Sequence, residues 1–212
     1  LAPRYPIPEL LWVRYVTHAG LILILFGRKM GMELIKTRRP FLQIFRALLL
    51  VMVSFLVMQG LRYIPLADTT AIIFLAPLLV AALSAPVLKE KVETSQWMAV
   101  ICGFVGVLVI VRPGNGALNM AVLFPLSSAV CYSLYQVLTR KFSGAENPVT
   151  THFYTGLVGL VVCSAAWESD WVVPAFAPAC LMVSLGLFAG VGHYLLIKAF
   201  ERMGPAVAAP FS

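Results

Sequence analysis

Residues 41–61 read FLQIFRALLLVMVSFLVMQGL, a run apolar enough and long enough to cross a bilayer as one helix. A hydrocarbon core about 30 Å thick takes about 20 such residues at 1.5 Å each. The same reading extends outward in both directions. Apolar spans are predicted at Pro8–Phe26, Phe41–Leu61, Thr69–Leu88, Gln96–Val111, Ala117–Leu138, Pro148–Trp167 and Pro178–Phe200, and an eighth begins at Pro205 and stops at Ser212. Of the 212 residues, 60% are hydrophobic and 12% charged, and the mean hydropathy is +0.90. That balance leaves too little polar surface for a soluble domain. The expected fold is therefore all-α, a polytopic membrane helix bundle whose unit is the helix. The chain opens at Leu1 without an initiator Met and closes inside a span, so both ends are expected to be cuts through a longer protein. No cleavable signal peptide is read from it.

The net charge of +7 invites a nucleic-acid reading, and the placement of the charges argues against one. Arg28, Lys29, Lys36, Arg38, Arg39 and Arg46 are assigned to the first inter-helix loop. Lys89 with Lys91, Arg140 with Lys141, and Lys198 with Arg202 fall at every second loop after it. The alternate side holds Arg4, Arg14, Arg62 and Arg112, a split of 12 against 4 that uses all 16 basic residues. This is the positive-inside bias, and it makes the rich side cytoplasmic. The opposite side carries the acidic turn Trp167-Glu168-Ser169-Asp170-Trp171 between two aromatic interface anchors. Membrane lipids with anionic headgroups are the partners this charge implies. Cys102, Cys131, Cys163 and Cys180 lie within or at the edge of apolar spans, without C-x-x-C or metal-ligand spacing, and read as small core hydrophobes. No metal and no cofactor is expected.

The chain also repeats itself weakly. Tyr5-Pro6-Ile7-Pro8-Glu9-Leu10 opens the first span as Glu146-Asn147-Pro148-Val149 opens the sixth. Leu61-Arg62-Tyr63-Ile64-Pro65-Leu66-Ala67 leaves the second span as Phe200-Glu201-Arg202-Met203-Gly204-Pro205-Ala206 leaves the seventh. Five spans separate equivalent points, and an odd number reverses orientation. Inverted repeats are characteristic of secondary transporters, whose substrate site lies between the halves near the midplane.

Leu61 to Ala71, then Leu75-Ala76-Pro77-Leu78, Leu88-Lys89-Glu90-Lys91, Gly103-Phe104-Val105-Gly106-Val107 and Arg112-Pro113-Gly114 together resemble the EamA repeat of the drug/metabolite transporter superfamily. The basic Arg38-Arg39-Pro40 loop fits many bacterial members. The resemblance covers nearly the whole chain and is strongest over residues 40–115. It implies ten helices in two inverted five-helix repeats. On that template residues 1–115 are the first repeat without its first helix, and residues 116–212 the second repeat, cut in its fourth helix. The family commonly has Gly where this chain has Lys89.

Ionisable groups at the centre of a span cost about 2.5–3.5 kcal/mol on insertion scales, so each needs a reason. Arg14 lies about two turns, or roughly 9 Å, inside the first span. It serves either as counter-charge to an anionic substrate or in a gating pair, or as a side chain that snorkels to the headgroups or holds Glu9. Gln59 and Lys198 occupy equivalent places in the two repeats, each close to the end of its helix. Gln59 either contacts substrate or bridges helices. Lys198 either pairs with substrate or responds to protonation as a coupling or gating group, or it is a snorkelled cytoplasmic anchor. In the fifth span Ser128, Cys131, Tyr132, Tyr135 and Thr139 share a helical face with Gln136 beside them. A polar, aromatic stripe in a lipid-embedded helix should face protein or water. Its tyrosines suit a flat substrate, and interhelical hydrogen bonding explains the stripe equally well. In the seventh span Gly186-x-x-x-Gly190 permits close helix approach, with Tyr194 and Lys198 on the same face. His193, next to them, fits either proton coupling or packing. His152 reads as a helix-end residue near the cytoplasmic surface, and Asp68 as the N-cap of the third span. Pro77, Pro86 and Pro125 interrupt helices.

A secondary transporter of a small organic metabolite or drug-like molecule, working by alternating access in the bacterial inner membrane, is the leading expectation. Protons are a candidate coupling ion. No Gly-x-x-x-x-Gly-Lys-Ser/Thr loop occurs, so no ATP site is expected. A non-transporting scaffold or receptor is the alternative. A membrane-embedded enzyme is less favoured, because neither His-Glu-x-x-His nor Gly-x-Ser-x-Gly is present.

Overall fold

The computed structural model describes residues 5–89, 94–111, 120–166 and 173–202. All regular structure among them is helical. The elements are α1 (Ile7–Met30), α2 (Pro40–Gly60), α3 (Leu66–Ile73), α4 (Leu75–Leu88), α5 (Thr94–Val111), α6 (Leu123–Phe142), α7 (Pro148–Ala165) and α8 (Phe176–Arg202), with 3-10 turns at Gly31–Leu34 and Met120–Val122. Six stretches of the described residues are long and apolar enough to cross a membrane. They fall on α1, α2, α3 with α4, α6, α7 and α8. The fourth expected span is occupied by α5. The eighth expected span, the Trp167–Trp171 turn, the Glu90 turn and Arg112-Pro113-Gly114 lie outside the described residues.

Helix boundaries follow local chemistry. Pro40 and Pro148 stand in the first turns of α2 and α7, where no intrahelical N–H is needed. Asn147 caps α7, its side chain accepting from the Val149 amide at 2.9 Å. The third span is broken at Phe74, between α3 and α4. Pro77 has no N–H to donate to the Ile73 carbonyl four residues back, so the break falls where that bond is missing. Asp68 is not the cap expected of it. The helix begins two residues earlier after Pro65, and Asp68 sits exposed in its first turn, a favourable place for an acid beside the helix dipole.

The bundle is built around two partnerships. Helix α6 packs between α2 and α4, with α3 also against it, and α1 packs on both α7 and α8. Helix α2 touches α7 and so joins the two groups. Close approach of α1 depends on small residues. A Cβ added to Gly159 would lie 2.3 Å from the Tyr15 ring, and one on Gly186 would meet the Thr17 Cβ at 2.7 Å and the Arg14 carbonyl at 2.8 Å. The Gly186/Gly190 notch thus receives α1. Large apolar side chains such as Ile24, Phe41 and Phe188 point outward, as lipid-facing surfaces require. Among the cysteines only Cys163 belongs to the core; Cys131 is half-buried, and Cys102 and Cys180 are exposed.

Candidate substrate site

Polar groups gather in the interior where α1, α2, α6, α7 and α8 meet. On α2 the buried positions Gln43, Arg46, Ala47, Leu50 and Ser54 form one helical face. Arg46 is fully buried, about 9 Å along α2 from its start. This corrects its assignment to the first loop. Arg28 and Lys29 likewise lie in the last turn of α1, and Lys36, Arg38 and Arg39 remain in the connection, so this end stays basic and the charge asymmetry stands. One guanidinium nitrogen of Arg46 donates to Thr139 Oγ1 at 3.1 Å. The other donates to Thr155 Oγ1 at 2.7 Å and to the Thr151 carbonyl. The hydroxyls of Thr139 and Thr155 donate in turn to backbone carbonyls one turn back, at 2.7 and 3.2 Å, which leaves their lone pairs to Arg46. Gln43 donates to Thr151 Oγ1 at 3.1 Å.

Above this cation lies an aromatic group. The guanidinium carbon of Arg46 is 5.0 Å from the centroid of the Tyr135 ring, a cation–π distance. Tyr132 stacks on Tyr135 with centroids 6.0 Å apart and planes 8° from parallel. His193 presents its edge to both rings, at 5.8 Å from Tyr135 and 6.5 Å from Tyr132. Tyr135 is wholly buried, while Tyr132 and His193 are half-buried. Gln136, Ser128 and Thr139 complete the buried stripe of α6. The stripe therefore does join helices, through Thr139, and also presents a paired ring surface.

A second polar string runs beside the first. His18 Nε2 faces His152 Nδ1 at 3.3 Å, and one of the two nitrogens supplies the proton between them. His152 in turn lies 5.6 Å from the half-buried Tyr194 ring. Both histidines are buried: His152 stands near the start of α7, as expected of a helix-end residue, but faces inward rather than to the surface. Tyr15 and Ser54 share a hydrogen bond of 3.2 Å between α1 and α2.

Of the remaining expected residues, Arg14 borders this cluster and Gln59 and Lys198 lie apart from it. Arg14 is half-buried on α1, its guanidinium carbon 5.8 Å from the Tyr15 ring. Gln59 is half-buried near the far end of α2, about 20 Å along the axis from Arg46. Lys198 is exposed and pairs with Glu201 at 3.0 Å. The structure thus brings Tyr132, Tyr135, Gln136, His193 and Tyr194 to one region and adds Arg46, His18 and His152, which were not singled out as site residues. A signal for Arg46 and Gln43 was present: with Ser54 they keep the helical period of the apolar face.

Residues 1–112, more than half of the chain, match the EamA-like transporter family. An S-adenosylmethionine uptake transporter of Rickettsia bellii is 28% identical over 193 residues, which are 91% of this chain and 66% of the relative. A riboflavin transporter of Rhizobium johnstonii is 25% identical over 187 residues, 88% of this chain and 62% of the relative. The chain thus spans just under two thirds of the length of these relatives. A solved crystal structure superposes with a TM-score of 0.72 over 99% of this chain and 75% of the other, at 21% identity, a likeness of fold.

Proposed function

Because the chain belongs to the EamA-like transporter family, we propose that its full-length parent is a secondary transporter that moves a small metabolite by alternating access. The family is one of transporters, not enzymes. Its helices make the chain a multi-pass integral protein of the bacterial inner membrane.

The observation that carries the substrate reading is the stacked Tyr132–Tyr135 pair with His193 edge-on to it, held at the helix junction. Such a group accepts the face of a flat ring, and the polar stripe of Gln136 and Ser128 orients it. The substrate class proposed is a heteroaromatic ring with a polar tail. The relatives named for S-adenosylmethionine and riboflavin carry substrates of that kind. Tyr194, Gln59 and Arg14 are second-rank candidates for substrate contact, His193 and Lys198 for coupling or gating.

The two-repeat organisation, 1–115 and 116–212, belongs to the same proposal. Pairing α1 with α7 and α2 with α8 would exchange the contact α1·α8 for α2·α7, and both contacts exist. A pseudo-twofold relation requires that exchange, which supports the reading.

The test uses the full-length parent in proteoliposomes, with S-adenosylmethionine, riboflavin and a metabolite panel, with and without an imposed pH gradient. Uptake should rise with the gradient, and the gradient effect should be lost in His193→Ala. Gradient-driven uptake unchanged in that variant returns His193 to packing. No uptake by folded protein rejects transport of these compounds and favours the scaffold alternative.

A further inference from the structure

We infer that Arg46 binds an anionic group on the transported molecule, so that the substrate class is a flat ring bearing a carboxylate or similar anion. This rests on the transporter reading above and narrows it.

The inference starts from an unbalanced charge. A guanidinium keeps its proton in any protein environment. Arg46 is wholly buried within an apolar helix, yet its partners are two threonine hydroxyls, one backbone carbonyl and the face of Tyr135. All of these are neutral. Its Nε has no hydrogen bond. The described acids are engaged or placed elsewhere. Glu146 accepts from the Arg38 amide at 3.1 Å, Glu201 holds Lys198, Asp68 and Glu33 are exposed, and Glu9 sits in the first turn of α1. A buried cation without a carboxylate is ordinarily paired or functional.

Position supplies the rest. Arg46 lies against the same Tyr135 ring that stacks on Tyr132. A ring lodged at the tyrosines would therefore carry its anion within reach of the guanidinium fork, which matches a carboxylate with two parallel hydrogen bonds. A cavity of about 10 Å³, lined by Thr139 and Thr151, opens beside the groups that hold Arg46. Glu146 and Glu201 also line it, and each already has the partner named above.

The experiment compares acid and carboxamide forms of the same ring compounds, tryptophan with tryptophanamide and S-adenosylmethionine with its carboxamide. Binding to the purified full-length protein is measured by thermal shift and calorimetry. The wild type should bind the acid about tenfold tighter or more, the worth of one charge-assisted contact. In Arg46→Gln the preference should collapse towards one, and in Arg46→Lys part of it should remain. Arg62→Gln, on the exposed turn after α2, should keep the preference and controls for a general loss of positive charge. If the Arg46 variants fail to fold, Thr155→Val, which removes one hydroxyl that holds Arg46, should weaken the preference in a folded protein. Equal binding of acid and amide by the wild type, a preference that survives in Arg46→Gln or vanishes in Arg62→Gln, or, where the Arg46 variants do not fold, one that is unchanged in Thr155→Val, overturns the inference and leaves the transporter reading standing. If folded wild type binds none of the four probes while transport of another ring compound without an anion is found, the inference falls alone. If neither binding nor transport of any compound is found, both fall.

Discussion

Lys89 ends α4 in a left-handed conformation, φ 57° and ψ 28°, and is the non-glycine residue with positive φ among those described. The family resemblance puts a glycine at this position. The structure gives the physical reason: the chain leaves the helix through a backbone state that a Cβ disfavours by about 1–2 kcal/mol. Lys89→Gly should therefore stabilise the protein by roughly 0.5–1 kcal/mol, the strain relieved less the extra freedom of the unfolded chain. Lys89→Ala, which keeps the Cβ, should show no such gain. Thermal unfolding in detergent separates the two. A Lys89→Gly variant no more stable than Lys89→Ala would mean that side-chain identity, not backbone strain, governs this turn. Arg46 shows the opposite case at the same scale. Proximity to a basic loop drew it into the loop in the sequence reading, although its period with Gln43 and Ser54 placed it on the inner face. Register with the apolar face, not proximity to charge, decides burial. His152 makes a separate point: it is near the start of α7, yet α1 covers that face through His18.

At the scale of elements, the spans were legible because lipid removes every alternative to a helix for an apolar run. What sequence could not supply was which helix each notch receives. Gly186 and Gly190 announced a close approach, and only the packed bundle identifies α1 as the visitor. Gly156 and Gly159 form a second notch, on α7, that was not singled out at all. The distances make the consequence specific. Gly159→Val and Gly186→Val should each destabilise the bundle by about 1–3 kcal/mol, because the Tyr15 ring or the Arg14 carbonyl must move. Gly192→Ala, where an added Cβ meets nothing within 4 Å, should be neutral or slightly stabilising. Similar melting temperatures for all three variants would remove the notches from the account of packing. The α3–α4 break has its own test. Pro77→Ala supplies the missing donor for the Ile73 carbonyl and should make the third span continuous, seen as slower amide exchange around Phe74. Unchanged exchange there would assign the break to tertiary packing rather than to the proline.

Orientation belongs to the whole molecule, and it follows from charge rather than from any contact. The basic loop after α1 and the sparsely charged turn after α2 must lie on opposite sides, since one span separates them. The positive-inside asymmetry makes the loop cytoplasmic. Met32 and Tyr63 are exposed on these two connections, 70% and 63% accessible, and neither carries charge. Cysteines at these positions therefore report topology without disturbing the charge count that sets it. In a full-length background with Cys102, Cys131, Cys163 and Cys180 replaced, a membrane-impermeant maleimide added to spheroplasts should label Tyr63→Cys. It should reach Met32→Cys only after the membrane is opened. The reverse pattern would invert the topology and place the Arg46 end of the bundle on the outer side. Labelling of both sites before opening would show that the connections do not sit on opposite faces, and the bundle could not then be a set of single-pass helices joined by these turns. The direction in which Arg46 meets its ligand thus depends on a charge pattern spread over the whole chain.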